Sequence, residues 1–375
     1  MKILVASDSF KGSLSSKQVG EIVSDELSEY HDVDYIAVSD GGEGFIEAIG
    51  GYYDGFERRI PVLDPLGRPI EAGYIISSDN KTAIIESSAA CGLPLLQVQE
   101  RNPLKTSTFG VGQLILDAIE NGVEQIYIGL GGSATNDGGA GLLEAVGVTF
   151  HERDGKQMTG LCGESLQFIA SMDTKRFDSL INDIKILVVS DVDNPLLGPA
   201  GATFTYSPQK GADSLMLDIL EKGMASFSDL VKRQLGTDHT LEPGSGAAGG
   251  LGFCLMSFFN SGILKGIDTV LDLIDFDERI KDLDLLITGE GKIDKQTFRG
   301  KAPAGIIKRC RNLDIPVIGI CGLNENDGPA YFKKIFSMVP VHATLGNSLR
   351  YPEQSLRIML RKELVPYLKN WKTDK

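Results

Sequence analysis

Cysteine is scarce and never paired in this sequence. The five cysteines, Cys91, Cys162, Cys254, Cys310 and Cys321, form no C-x-x-C motif and are odd in number. That argues against a disulfide or zinc framework and for reduced thiols in the cytoplasm. Positive charge is in deficit: 37 Lys and Arg against 51 Asp and Glu leave a net charge of −14. A nucleic-acid partner needs a basic face to displace counterions, and no run of Lys or Arg offers one. Long apolar runs are missing too. Residues 1–6 turn polar before a signal-peptide core could form, and the most apolar later stretch, 251–264, is broken by Ser257, Asn260, Ser261 and Gly262. Neither reads as a membrane segment. No G-x-x-x-x-G-K-[ST] phosphate loop, no G-x-S-x-G nucleophile elbow and no H-E-x-x-H metal helix occurs. Four scattered histidines and a single Trp371 point to no site.

Glycine is what the chain has in quantity, 44 of 375 residues, gathered in clusters. The length suits two domains at roughly 100–200 residues each. Short β-branched runs at 3–6, 35–38, 285–288, 317–320 and 335–339 each lead into a polar or Gly-rich loop, and helical spacing of apolar residues follows the first, with Ser15 or Ser16 as cap. Repeated strand, loop and helix imply a parallel sheet covered by helices. The middle differs. Runs at 60–63, 70–77 and 82–86 read as antiparallel hairpins, further strands follow at 125–129 and 185–189, and helices are expected over 108–121 and 213–235. The organisation expected is therefore α/β: a five-stranded parallel domain, residues 1–58 plus 281–375, interrupted by an inserted α/β domain, 59–280. In open parallel sheets ligands bind beyond the carboxyl ends of the strands. The active site is expected there, in the cleft between the domains.

Phosphoryl transfer needs close backbone N–H groups, carboxylates for a metal, and a few cations. Segment 129–141, Gly-Leu-Gly-Gly-Ser-Ala-Thr-Asn-Asp-Gly-Gly-Ala-Gly, holds six glycines and offers donors at Ser133, Thr135 and Asn136. Segment 242–252, Glu-Pro-Gly-Ser-Gly-Ala-Ala-Gly-Gly-Leu-Gly, holds five. It contains a formal G-x-G-x-x-G, but no strand precedes it, so a dinucleotide fingerprint is excluded while a phosphate at a helix start is not. Candidate cations are Lys11, Lys292, Lys295, Arg299 and Lys301. Candidate acids are Asp8, Asp40, Asp137, Asp191, Glu290 and Asp294, each just past a strand or in the loop after one. Some of these acids are expected to cap helices instead, Asp40 and Asp137 first. The stretch from Asp40 also echoes that from Asp137, both reading Asp-Gly-Gly-x-Gly before an apolar run.

Taken together, Lys-Ile-Leu-Val-Ala-Ser-Asp-Ser-Phe-Lys-Gly-Ser-Leu-Ser at 2–15, Ser-Asp-Gly-Gly-Glu-Gly at 39–44, Gly-Gly-Ser-Ala-Thr-Asn-Asp-Gly-Gly at 131–139 and Thr-Gly-Glu-Gly-Lys-Ile-Asp at 288–294 resemble the type I glycerate kinases. Pro-Gly-Ser-Gly-Ala-Ala-Gly-Gly at 243–250 and Gly-Lys-Ala-Pro at 300–303 fit as well. Lys292 stands where many members carry Arg, a change that keeps the charge. The resemblance implies a flavodoxin-like domain carrying an inserted domain, and a kinase that uses ATP and Mg²⁺ to phosphorylate D-glycerate, with the 2-hydroxyl as acceptor. In that reading Asp191 accepts the hydroxyl proton, and Lys11 and Lys292 neutralise charge. Substrate and nucleotide are held by Ser7, Asp8, Gly41, Gly42, Gly131, Gly132, Ser133, Asn136, Gly244, Ser245, Gly246, Gly289, Glu290 and Lys301. The metal falls to Asp40, Asp137 and Asp294. The rivals are phosphorylation of the 3-hydroxyl, a phosphohydrolase of the haloacid-dehalogenase type built on Val-Val-Ser-Asp-Val-Asp-Asn-Pro at 188–195, and a non-catalytic sensor of small acids. Oligomeric state has no signal in the sequence.

Overall fold

The structure, a computed structural model, describes residues 1–42, 44–181, 183–295, 297–298, 301–325 and 330–371. The chain divides into two compact units, residues 1–40, 47–53 and 265–375, and residues 41–46 and 54–264. Both are α/β.

The first unit holds a five-stranded parallel sheet. Its order across the sheet is Lys334–Val339, Val317–Asn324, Leu285–Ile293, Lys2–Val5, Asp32–Tyr35. Numbered within the unit this is 2-1-3-4-5, the flavodoxin-like arrangement. Every strand runs the same way, so the segments at 6–13, 36–40 and 294–295 leave from one edge. The strand cores Ile3, Val5, Leu285, Ile287, Ile318, Ile320 and Phe336 pack with Val19, Val23, Leu27, Leu356, Met359 and Leu364 from helices. The first helix, Ser16–Leu27, starts at Ser15, whose hydroxyl accepts from the Gln18 N–H while the Gln18 side chain accepts from the Ser15 N–H. Ser16 then ties two loops to this helix: its hydroxyl donates to the Ser7 carbonyl and accepts from the Val38 N–H.

The second unit is built on a six-stranded mixed sheet in the order Gly262–Leu264, Lys185–Val189, Gln125–Gly129, Thr82–Glu86, Pro69–Ser77, Gly55–Leu63. The first four are parallel and the last two add an antiparallel hairpin. A small three-stranded sheet, Gln157–Met158, Thr149–His151 and Ser171–Asp173, stands apart from it. Helix Phe109–Glu120 buries Val111, Leu114, Ile115 and Ala118 on one face. Helix Ser214–Leu235 is capped by the Asp213 carboxylate on the Met216 N–H and ends at Gly236, at φ +76°. Among the described residues no helix is long and apolar enough to cross a membrane. All five cysteines are free, and burial pushes the thiols of Cys91, Cys310 and Cys321 up to about 12.

Three features depart from the sequence reading. The unit boundaries fall near 54 and 264 rather than 58 and 281. Strand Gly55–Leu63 pairs along its whole length with Pro69–Ser77 and cannot leave it. Helix Gly266–Leu273 instead meets helix Ala302–Arg311 in the first unit, where Arg309 reaches Asp272 and Asp277. The strand expected at 35–38 forms at Asp32–Tyr35; Ile36, Ala37 and Val38 are buried beyond the ladder. Finally, Gly289 to Lys292 is not a loop. The strands at 285 and 317 continue as a ladder through Glu290↔Cys321 and Lys292↔Leu323.

Candidate active site

In the first unit the strand ends gather a carboxylate cluster. The Asp8 N–H donates to the Gly289 carbonyl at 2.9 Å, which sets Asp8 beside Glu290. Both side chains are buried. One Glu290 oxygen accepts from Lys301 at 2.9 Å, while its Oε1 has no hydrogen-bond partner among the described residues. Lys11 Nζ lies 3.9 Å from Asp40 and is mostly exposed. Lys292 is paired with two acids, Glu325 at 2.8 Å and Asp294 at 3.5 Å. Its charge is thus already engaged by protein carboxylates. Ser7 is buried, with its hydroxyl on the Asp8 carbonyl. Arg299, Gly300 and Glu43 lie outside the described residues. A cavity of ≈ 380 Å³ in this unit, walled by Ile267, Ile307, Phe298 and Tyr331, is lined by none of the expected site residues among those described.

Asp8 is the electrostatic anomaly of this cluster. Burial, then the charge of Asp40, push its carboxyl up to about 7 from an ordinary 3.8; the Ser9 N–H and Lys11 pull the other way and Glu290 adds to the rise. The folded state therefore binds this proton more tightly than the unfolded chain. The resulting stabilisation is complete below about pH 3.8 and is lost as pH rises through about 7, above which the charged carboxylate opposes folding. Asp8→Asn is expected to be more stable than the parent at pH 8, by on the order of a few kcal/mol at most, and so to melt at a higher temperature. That advantage should fade towards pH 4. Thermal denaturation at pH 5 and pH 8 without added metal checks it; equal melting at pH 8 contradicts it.

In the second unit the two glycine-rich segments pack on each other. The Gly138 N–H donates to the Gly249 carbonyl at 3.1 Å. A Cβ on Gly250 would sit 2.8 Å from Gly138 Cα, and one on Gly249 would sit 2.8 Å from the Thr135 carbonyl carbon. Both glycines have positive φ, and Ala248 joins them at φ 50°, so helix Ala247–Phe259 is kinked at its start. Gly244 and Gly246 are equally pressed, against Ile263 and the Pro195 carbonyl, and Ser245 is fully buried with its hydroxyl on the Thr240 carbonyl. Internal packing accounts for these glycines. Gly41 is crowded in the same way by Val189. Gly131 and Gly132 differ. Gly132 is exposed at φ +60° with only Ser88 within 4 Å, so its backbone conformation, not crowding, demands glycine. The N–H groups of Gly131, Gly132 and Ser133 meet no backbone acceptor among the described residues. Donors without a backbone partner are what an anion takes.

Asp137 closes this loop from inside. It is fully buried and accepts from the Thr108 N–H and hydroxyl, both at 2.8 Å, and from the N–H groups of Gly139 and Gly141. Burial pushes its carboxyl up while these donors pull it down. Its oxygens serve helix Ala140–Ala145, the capping alternative. In the echoing segment at 40–50 the acid that does this is distant: Glu86 accepts from the Gly44 and Ile46 N–H groups and from Ser88. Sequence reasoning missed Glu86, which ends a strand with no local mark of a capping role. It also missed Lys210, which is buried with Nζ 2.9 Å from Ser133 Oγ and 2.7 Å from the Thr135 carbonyl. A lone lysine between Pro208 and Gly211 carries no signal of that contact. Asn136 is buried, its Nδ2 donating to Thr203 at 3.3 Å. Asp191 is exposed two residues beyond strand Lys185–Val189, and Gly42 is half-buried.

The expected residues thus fall into two sets. Ser7, Asp8, Lys11, Asp40, Gly289, Glu290, Lys292, Asp294 and Lys301 belong to the first unit, and the others to the second. Comparison with known proteins identifies the family. Residues 3–364 match the model of the glycerate kinase family. The chain is 43% identical to a glycerate kinase of Bacillus subtilis over 347 residues, 91% of each chain. It is 40% identical to the glycerate 2-kinase of Escherichia coli over 357 residues, 93% of each. A crystal structure from Salmonella typhimurium LT2, assigned as a glycerate kinase 2, superposes with a TM-score of 0.81 at 37% identity, covering 98% of both chains. The chain belongs to the glycerate kinase family and is an enzyme that phosphorylates glycerate.

Proposed function

We propose that this chain takes its phosphoryl group from ATP and delivers it to the 2-hydroxyl of D-glycerate, giving 2-phosphoglycerate and ADP, with Mg²⁺ as cofactor. One observation carries the reading: the likeness runs the length of the chain and includes a relative named for the 2-position. The open N–H groups at Gly131, Gly132 and Ser133 take phosphate oxygens. Asp191 accepts the proton of the attacking hydroxyl. Lys11, held only at 3.9 Å from Asp40, neutralises charge on phosphate or on the glycerate carboxylate, and Lys292 joins it by giving up its pairing with Glu325 and Asp294. Asp137 holds the loop rather than a ligand.

The first unit's carboxylates fit a magnesium ion. Glu290 presents a buried oxygen with no partner, and Asp8 is held protonated near neutrality by its own burial and by Asp40. A divalent cation relieves both. Among the described residues no three His, Cys, Asp or Glu side chains form a ready cage. Magnesium seldom needs one, since one or two carboxylates, waters and substrate phosphates complete its shell. Asp8 and Glu290 would hold it, with Asp40 and Asp294 further candidates. Bound there, it would offset the negative charge of the triphosphate.

A coupled ADP-release assay with and without D-glycerate, followed by ³¹P NMR of the product, tests the reading. ADP should appear only with glycerate, the product should be 2-phosphoglycerate, and EDTA should abolish turnover until Mg²⁺ is restored. A 3-phosphoglycerate product overturns the position. ADP or phosphate release without glycerate overturns the reaction, and glycerate binding without ADP formation leaves only a sensor.

A further inference from the structure

The Gly131–Ser133 loop leaves one hydroxyl proton with nowhere inside the protein to go. Lys210 is only 2% exposed, and its Nζ lies 2.9 Å from Ser133 Oγ. An ammonium has three donors and no lone pair, so in this contact the serine oxygen can only accept. Its own O–H hydrogen meets no acceptor among the described residues, although Ser133 is itself only 4% exposed. Buried polar hydrogens are rarely left so. The neighbouring Asn136 Oδ1 is also buried without a partner. Above them stand the exposed Gly132 and the open N–H groups of the same loop. An anionic oxygen placed there would satisfy those N–H groups and the hydroxyl together.

We infer that Lys210 is a positioning residue: it locks the Ser133 hydroxyl as a one-way donor to an anionic oxygen of a substrate, a nucleotide phosphate or the glycerate carboxylate. The inference rests on the functional reading above. Burial pulls the Lys210 ammonium down to about 8, so it is still charged at neutral pH and still a pure donor. The second hydrogen bond, to the Thr135 carbonyl at 2.7 Å, fixes the ammonium from the opposite partner, so it cannot swing away from Ser133 without stranding a buried carbonyl.

The test is a double-mutant cycle read in KM and kcat for ATP and for D-glycerate, alongside melting temperature. Ser133→Ala and Lys210→Met should each raise KM for one and the same substrate about tenfold, with kcat moving much less. The double variant should also stand about tenfold above the parent rather than about a hundredfold, because both changes act through the same Ser133 hydroxyl, one by deleting it and the other by releasing its orientation. The substrate whose KM moves identifies the oxygen. Lys210→Gln retains an N–H donor and should keep part of the affinity, which serves if Lys210→Met fails to fold. A purely structural lysine would lower the melting temperature and leave KM alone, or would raise KM equally with and without Ser133→Ala; either result overturns the inference. A parent chain without glycerate-dependent ADP release would instead overturn the functional reading, so the two failures are told apart.

Discussion

Asp191→Asn is expected to lower kcat about 10²- to 10⁴-fold while KM for ATP and for D-glycerate stays nearly unchanged. Asn matches Asp in shape and can still accept a hydrogen bond, but it cannot take a proton. A group that only oriented the substrate would therefore tolerate the change, whereas a general base would not. Asp191 stands just past the carboxyl end of strand Lys185–Val189, the second parallel strand of its sheet, on a turn where the Val192 N–H donates to Ser190 Oγ. It is exposed and so open to a substrate hydroxyl. A fall of less than about tenfold would remove it from the base role. Asp8 would then be the first replacement, since a carboxyl at about 7 is matched to proton transfer at neutral pH. Asp8→Asn would then be expected to show the loss of kcat that Asp191→Asn did not.

Much of the fold was legible because it depends on local patterns. Four of the five strands of the first unit announce themselves as short β-branched runs, whereas Asp32–Tyr35 alternates exposed and half-buried residues and was expected three residues later. Helices Phe109–Glu120 and Ser214–Leu235 were placed to within a residue, because Asp213 and Gly236 mark the ends of the second by capping chemistry that needs no tertiary partner. The small sheet at 149–173 was not legible: its strands are two or three residues long and carry no periodicity. The site was legible in residue type and not in role. Glycine density at 129–141 and 242–252 signals close backbone approach, but the sequence cannot say whether the approaching group is a phosphate or another stretch of the same chain. For Gly138, Gly249 and Gly250 it is the chain itself. Asp137 and Glu86 do the same job for two similar loops, yet one is local and the other lies some forty residues away, and only the fold brings Glu86 to Gly44. Lys210 is the extreme case, a buried cation whose meaning is entirely tertiary.

The Gly-Glu-Gly segment at 289–291 turns that distinction into the largest stability effect expected here. Read as a ligand loop, both glycines should be equally important to binding and equally dispensable to folding. The structure separates them. Gly289 lies opposite Ile320 in the central ladder of the five-stranded sheet, and a Cβ there would overlap the Ile320 carbonyl oxygen and lie 2.8 Å from its carbon. Backbone on a paired central strand cannot move aside without breaking the ladder. Gly291, two residues on, would bring a Cβ no closer than 3.4 Å to Lys11 and Phe10, an ordinary contact. Gly289→Ala is therefore expected to cost more than about 4 kcal/mol, enough to leave the protein insoluble or largely unfolded. Gly291→Ala should change stability by no more than about 1 kcal/mol. Chemical denaturation of the two purified variants, with soluble yield as the readout where purification fails, decides the matter. A Gly289→Ala protein that folds with parental stability but binds substrate poorly would restore the ligand-loop reading and would mean that the strand stops at Thr288.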